Sequence, residues 1–237
     1  MSTTSNSGPR STGSGARPVS VSTLVRLTEP TPDAGQLDHR LGPYTAAVAA
    51  HCPYLGPSTA RQLTRWELWE PADRAAVPQA IEAALFAAGL MAAERVRARA
   101  RTLGPLVCEN VAVRWDAPTE DQRLALMWPH WALKLLYAPV GVMVGKFWAG
   151  ETDTDRRGRP VPVPPITFLS LRPAVRARDP KLLTSHPDVG DIIAAATNDD
   201  DRDVLGDVLD DGERIDEHAW TRVRAWAAHQ ARGDQHD

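Results

Sequence analysis

The sequence predicts an α+β domain built on one antiparallel or mixed sheet, with helices covering one side of it. Three observations carry this reading. Short strand-like and helix-like segments interleave along the chain, an alanine-rich 3.6-residue periodicity precedes residue 104, and a two-residue alternation occupies 141–148. None of these segments is joined by the glycine-rich turn of a dinucleotide fold. A length of 237 residues suits one domain with tails.

Residues 1–36 are Ser, Thr and Gly with scattered Pro and no apolar period, so they are expected to form a disordered tail ahead of a globular unit at 37–233. "TARQLTRWELWEP" reads as a short helix running into a short strand. "PADRAAVPQAIEAALFAAGLMAAERVRARARTLG" is the clearest helix, with Ile81, Leu85, Ala88 and Ala92 on one stripe and Gly104–Pro105 as its stop. Its Arg95, Arg97, Arg99 and Arg101 are expected to fan round a solvated helix end. "LVCENVAVRW" reads as a strand with Val111 and Val113 on one face.

A helix follows in "PTEDQRLALMW", where Thr119 and Gln122 have capping-box spacing. Pro129 is expected to interrupt it, with a second piece from His130 to about Tyr137. "VGVMVGKFW" alternates as a strand that puts Val142, Val144, Lys146 and Trp148 on one face and Gly141, Met143, Gly145 and Phe147 on the other. "AGETDTDRRGRP" is a polar hairpin, and "VPVPPITFLSLR" is a strand entered through prolines. Helix is expected at "PDVGDIIAAATN". The segment 199–217, dense in Asp, reads as a solvated acidic loop, since its spacing matches no EF-hand frame. The last helix turns Ile215, Ala219, Trp220, Val223 and Trp226 toward a core.

Composition narrows the function classes. With 43% apolar and 24% charged residues the chain reads as soluble and globular, and a net charge of −3 gives no reason to expect a nucleic-acid partner. No run of 18 apolar residues predicts a membrane span, and the polar N-terminus does not resemble a secretory signal. Two cysteines, Cys52 and Cys108, build neither a disulfide framework nor a four-thiolate metal site, so a reducing cytoplasm is expected. No GxGxxG, GxxxxGK[ST], HExxH, GxSxG or CxxC occurs.

The residues that point to chemistry lie in "WPHWALKLLYAPVGVMVGKFWAG". On a helix, His130 and Lys134 share a face amid apolar neighbours. An imidazole there can ligate a metal or move a proton, and a buried lysine needs a partner or a lowered pKa. A satisfied core histidine and a snorkelling lysine are the structural alternatives. Gly141 and Gly145 on one strand face leave room for a flat ring or mark a bulge. Cys52 beside His51 offers a thiolate or an iron ligand, or a small buried thiol at a proline turn.

Three blocks, "HCPYLGPSTARQLTRWELWE", "HWALKLLYAPVGVMVGKFWAG" and "PVPPITFLSLRPAVRARDPKLL", resemble those of a bacterial family of unknown function. The matching residues are Cys52, Pro53, Tyr54, His130, Lys134, Gly141, Gly145, Phe147, Pro162, Pro164 and Arg172. That family tends to read Gly-Glu-Phe-His where this chain has Gly145, Lys146, Phe147 and Trp148. Its layout is similar to that of the YqcI/YcgG-type haem enzymes, which hydroxylate guanidine or amine nitrogens in specialised metabolism. The resemblance implies a haem-dependent oxygenase or oxidoreductase acting on a small nitrogen-containing metabolite. His130 would be the axial iron ligand, with Cys52 or His51 second in line; Lys134, Lys146 and Arg172 would anchor propionates or a substrate carboxylate. Two other readings stand beside it. One is a cofactor-free small-molecule enzyme or binding protein with His130 as acid or base and Lys134 or Arg172 on an anionic substrate. The other is an interaction or scaffold protein, and a homodimer is compatible with any of the three.

Overall fold

The computed structural model describes residues 24–26, 39–72, 78–155, 157–175, 179, 203–206, 208–210, 213 and 215–233. In chain order the strands are β1 (Leu24–Arg26), β2 (Thr64–Pro71), β3 (Cys108–Val113), β4 (Val142–Phe147) and β5 (Thr167–Pro173). The helices are α1 (Leu41–Val48), α2 (Leu55–Ala60), α3 (Pro78–Leu103), α4 (Thr119–Tyr137) and α5 (Glu217–Gly233). The strands form one sheet in the order β1-β2-β3-β5-β4. Only β2 and β3 run parallel; the other neighbours are antiparallel. The expected α+β fold with a mixed sheet is what the chain adopts. The helix expected at "PDVGDIIAAATN" lies outside the described residues.

Strand alternation sorts the side chains onto two faces. Glu109, Val111 and Val113 of β3, Leu169 and Leu171 of β5, and Val142 and Val144 of β4 meet α3, α4 and α5 in the main core. The opposite face presents Trp66, Leu68, Ala112 and Phe168, and it is not bare. Leu41 and Tyr44 of α1 close a second apolar cluster over it. Helices therefore lie on both sides rather than one. The signal for this was weak, because α1 is only eight residues long and contributes two core side chains.

Four expectations need correction. Leu24–Arg26 lies inside the stretch read as a disordered tail, yet it pairs with Trp69–Pro71 of β2. Edge pairing uses backbone groups, so composition does not reveal it. Pro129 does not interrupt α4, which is continuous from Thr119 to Tyr137. Leu126 and Leu133, both fully buried, anchor it on either side of the proline, and that packing outweighs the lost backbone bond. Thr119 and Gln122 form no capping box: Pro118 is the N-cap. Gln122 instead donates to the Ala117 carbonyl at 2.7 Å and accepts from Thr167 Oγ1. The acidic segment is not simply solvated, since Leu209 is buried and Val204, Leu205 and Val208 pack on the main core.

The arginines of α3 are also redeployed. Arg95 and Arg99, one turn apart, reach down to carboxylates on the sheet, while Arg97 points the other way. Arg95 pairs with Glu67 at 3.0 Å and Glu109 at 3.4 Å, and Arg99 pairs with Glu109 and donates to the Leu63 carbonyl at 3.0 Å. Arg97 holds Glu94 at 2.8 Å, and Glu94 accepts from the Tyr137 hydroxyl at 2.8 Å.

α3 and α4 approach closely at Gly89. A Cβ there would lie 2.4 Å from Leu133 Cδ1, which the core holds in place. Alanine is the better helix former by about 1 kcal/mol, but overpacking costs about 1–3 kcal/mol. Gly89→Ala is expected to lower the urea midpoint, not raise it.

Candidate functional site

The edge strand β4 and the helix α4 form a seam. The bond from Ala174 N–H to the Gly141 carbonyl (2.7 Å) sets the phase of the β4–β5 ladder. Residues 141, 143, 145 and 147 turn their backbone groups toward β5, leaving those of 142, 144 and 146 facing the open edge. An open edge is a site for unwanted pairing unless something covers it. Here α4 covers it: Trp131 and Leu135 pack on Met143, and His130 meets the outward Val144 carbonyl at 3.0 Å. A carbonyl only accepts, so Nε2 of His130 carries the proton and donates.

Arg123, Met127, His130 and Lys134 follow at spacings of four, three and four, which makes one stripe of α4. Lys146 projects into the same seam from β4 and donates to the Met127 thioether at 2.9 Å. Lys134 is only 8% exposed. Burial, and then the neighbouring Lys146 charge, push its pKa below the ordinary lysine value. Burial and Arg123 lower that of Lys146 in turn, against a weaker opposing pull from Glu151. Burial also raises the pKa of the Glu151 carboxyl.

Among the described residues, Lys134 differs from every other buried charge. Glu67, Glu109, Glu82, Arg97 and Asp179 each have an oppositely charged partner. The Lys134 side chain has no hydrogen bond or ion pair among the described residues, and the charge it feels most is another cation. No family model matches the chain, and neither a curated protein nor a solved structure matches it. The site therefore has to be read from its own chemistry.

The remaining candidates lie elsewhere. Arg172 projects from β5 on the face opposite Lys146, because its partner Met143 and the Lys146 partner Leu169 alternate across the sheet. It forms a two-pronged bond with Asp179 at 2.8 and 2.9 Å and lies 5.6 Å from the centre of the Tyr54 ring. Burial works against its charge, but Asp179 outweighs burial and holds the guanidinium pKa above its ordinary value. Cys52 and Cys108 lie within electrostatic reach of it. Cys108 contacts Ser170 Oγ at 3.5 Å, and burial raises its thiol pKa. The Nδ1 of His51 contacts Asp155 at 3.1 Å in the 151–160 hairpin.

Gly141 has φ +76°, the left-handed turn that leads from a 3₁₀ segment (Ala138–Val140) into β4. At Gly145 a Cβ would meet the Phe147 ring at 3.1 Å, so the flat group over this glycine belongs to the chain itself. Among the described residues no group of three or more His, Cys, Asp and Glu side chains could hold a metal.

The residues named for haem do not fit one haem. Nε2 of His130 is committed to Val144, Lys146 and Arg172 project from opposite faces, and Asp179 neutralises Arg172. A shallow depression of 180 Å³ lined by Gly206, Val208, Leu209, Asp210 and Arg222 includes none of the candidate residues, and Glu213 already pairs with its arginine.

One signal for the site was available in the sequence and passed over. The chain has three lysines against 24 arginines, and two of the three meet in this seam. Arginine stays charged in proteins, whereas a buried lysine can give up its proton. A chain that otherwise uses arginine departs from that habit at 134 and 146.

Proposed function

We propose that the protein is a small-molecule enzyme or binding protein that takes an anionic ligand, a carboxylate in the first instance, into the seam between α4 and β4. The observation that carries this is Lys134, a side chain only 8% exposed that feels the charge of Lys146 and has no acidic partner among the described residues. Burying a charge without a counter-charge costs several kcal/mol, and an incoming carboxylate offsets that cost on both lysines at once. Lys134 and Lys146 supply the attraction. His130 holds the helix to the strand through Val144, which keeps the two amines opposed. Arg123, about one-third exposed and paired with Glu120, is placed to guide an anion in from solvent. No helix of the described residues is long and apolar enough to cross a membrane. A cytoplasmic setting, with both thiols reduced, belongs to the same proposal.

Thermal unfolding of the full chain against a panel of mono- and dicarboxylates and phosphate is the test. A ligand bound only to the folded state at one hundred times its Kd adds about 2.7 kcal/mol. The expected result is a rise in Tm with at least one carboxylate, lost in Lys146→Gln. A panel without a shift, or one whose shift survives Lys146→Gln, overturns the proposal. A Soret band on haem addition that disappears in His130→Ala would return the assignment to haem.

A further inference from the structure

We infer that Lys134 is an imine-forming lysine and that the ligand of the seam is a small 2-oxo carboxylate, its carboxylate held by Lys146 and its carbonyl attacked by Lys134. This rests on the anion site proposed above and names the chemistry done there.

The geometry supplies both things such a lysine needs. An amine attacks only when unprotonated, and proteins favour that form by removing water and placing a second cation nearby. Lys134 is buried on α4 facing β4, with Lys146 as the nearby cation and no acid paired to it among the described residues. Both effects lower the proton affinity of the amine. Lys146 has the complementary setting. It reaches Met127 at the rim, is less buried than Lys134, and lies within the field of Glu151. It is the amine that stays charged and binds the anion.

The step balances without an oxidant or reductant. The nitrogen lone pair of Lys134 forms a C–N bond to the carbonyl carbon while the carbonyl π pair moves to oxygen. The nitrogen then sheds a proton and that oxygen takes one up, giving a neutral carbinolamine. Protonation of the hydroxyl and loss of water then leave the C=N bond. The carboxylate beside the carbon stays in place throughout, held by Lys146. An imine at that carbon draws electrons from its neighbours, so the activities it opens are aldol-type addition or proton exchange at the adjacent carbon.

The experiment is borohydride trapping on the full chain with glyoxylate, and separately with pyruvate, followed by peptide mass mapping. With only three lysines in the chain, the adduct is assigned without ambiguity. The expected result is carboxymethylation of Lys134 by glyoxylate and carboxyethylation by pyruvate at neutral pH, with Lys146 and Lys181 unmodified. Lys134→Arg keeps the positive charge but has no amine able to form the C=N bond, so it should lose the adduct. Adducts confined to Lys181 or the α-amino group overturn the inference. If pyruvate raises Tm in the wild type but nothing is trapped on Lys134, the imine falls and the anion site stands. If neither occurs, both fall. Trapping on the wild type decides the matter even if the arginine variant does not fold.

Discussion

Lys134→Met is expected to give a protein more stable than the wild type at neutral pH, by about 1–3 kcal/mol, that no longer responds to carboxylates. Methionine matches the length and volume of the lysine side chain without its amine, so the seam is refilled and not hollowed. What disappears is the burden of holding an unneutralised amine in a poorly hydrated seam. Few substitutions at a merely structural buried position improve stability while removing a binding response. A site residue does so because it is held ready for something absent.

The pH dependence follows with a definite sign. The groups around the amine are Arg123 and His130 on α4, Lys146 on β4 and Glu151 just beyond it, while Glu94 and Arg97 of α3 face α4 at Tyr137. β5 adds no titratable group on that face. The folded pKa of Lys134 lies below its unfolded value of 10.5, so the native state binds fewer protons than the unfolded state between the two. Stability from this group therefore rises with pH across that window. The advantage of Lys134→Met should shrink as pH approaches 10.5 and vanish above it. Urea midpoints at neutral and alkaline pH measure this. An advantage that grows with pH would show that the amine has an acidic partner after all.

Arg99→Met should have the larger effect, in the opposite direction. Glu109 is 1% exposed, and Arg99 is its closer partner; Arg95 reaches it only at 3.4 Å and also holds Glu67. Removing one partner of a buried ion pair costs about 3–5 kcal/mol, because the remaining charge stays in a poorly polarisable setting. The Leu63 carbonyl loses its guanidinium donor in the same change. A large drop in the urea midpoint with an unchanged slope is the expected outcome. A cost under about 1 kcal/mol would mean that water or Arg95 replaces Arg99. Glu109→Gln in the same background tests the mechanism, since removing the orphaned charge should restore part of the loss.

The contrast between these two variants shows what could be read from the sequence. Periodicity located α3, β4, β5 and α5, because a repeated burial pattern writes itself into residue type: Ile81, Leu85, Ala88 and Ala92 are all buried as expected. The pleat of β4 was also legible, and with it the placement of Lys146 beside Val142 and Val144. Pairing was not. Nothing local says that Glu67 and Glu109 lie beneath Arg95 and Arg99, because β2 and β3 are brought together only by the crossover through α3. The fan of arginines therefore looked like a solvated helix end.

The site divided in the same way. His130 and Lys134 share a stripe of one helix, which spacing alone establishes. That His130 spends its Nε2 on Val144, or that Arg172 belongs to the other face with Asp179, depends on the order of strands in the sheet. The identity of the residue that matters most was nearer to hand. Lysine is scarce in this chain, and its confinement to residues 134, 146 and 181 is visible without any fold.

The cover over β4 ties solubility to occupancy. The stretch of α4 that hides the outward carbonyls of residues 142, 144 and 146 is the same stretch that carries the mutually repelling amine. When that repulsion goes unquenched, it favours detachment of the helix, and detachment would bare a hydrophobic ribbon ready to recruit another molecule. On the proposed anion site, a guest that quenches it would also fasten the cover, and the filled protein would be guarded against self-association in a way the empty one is not.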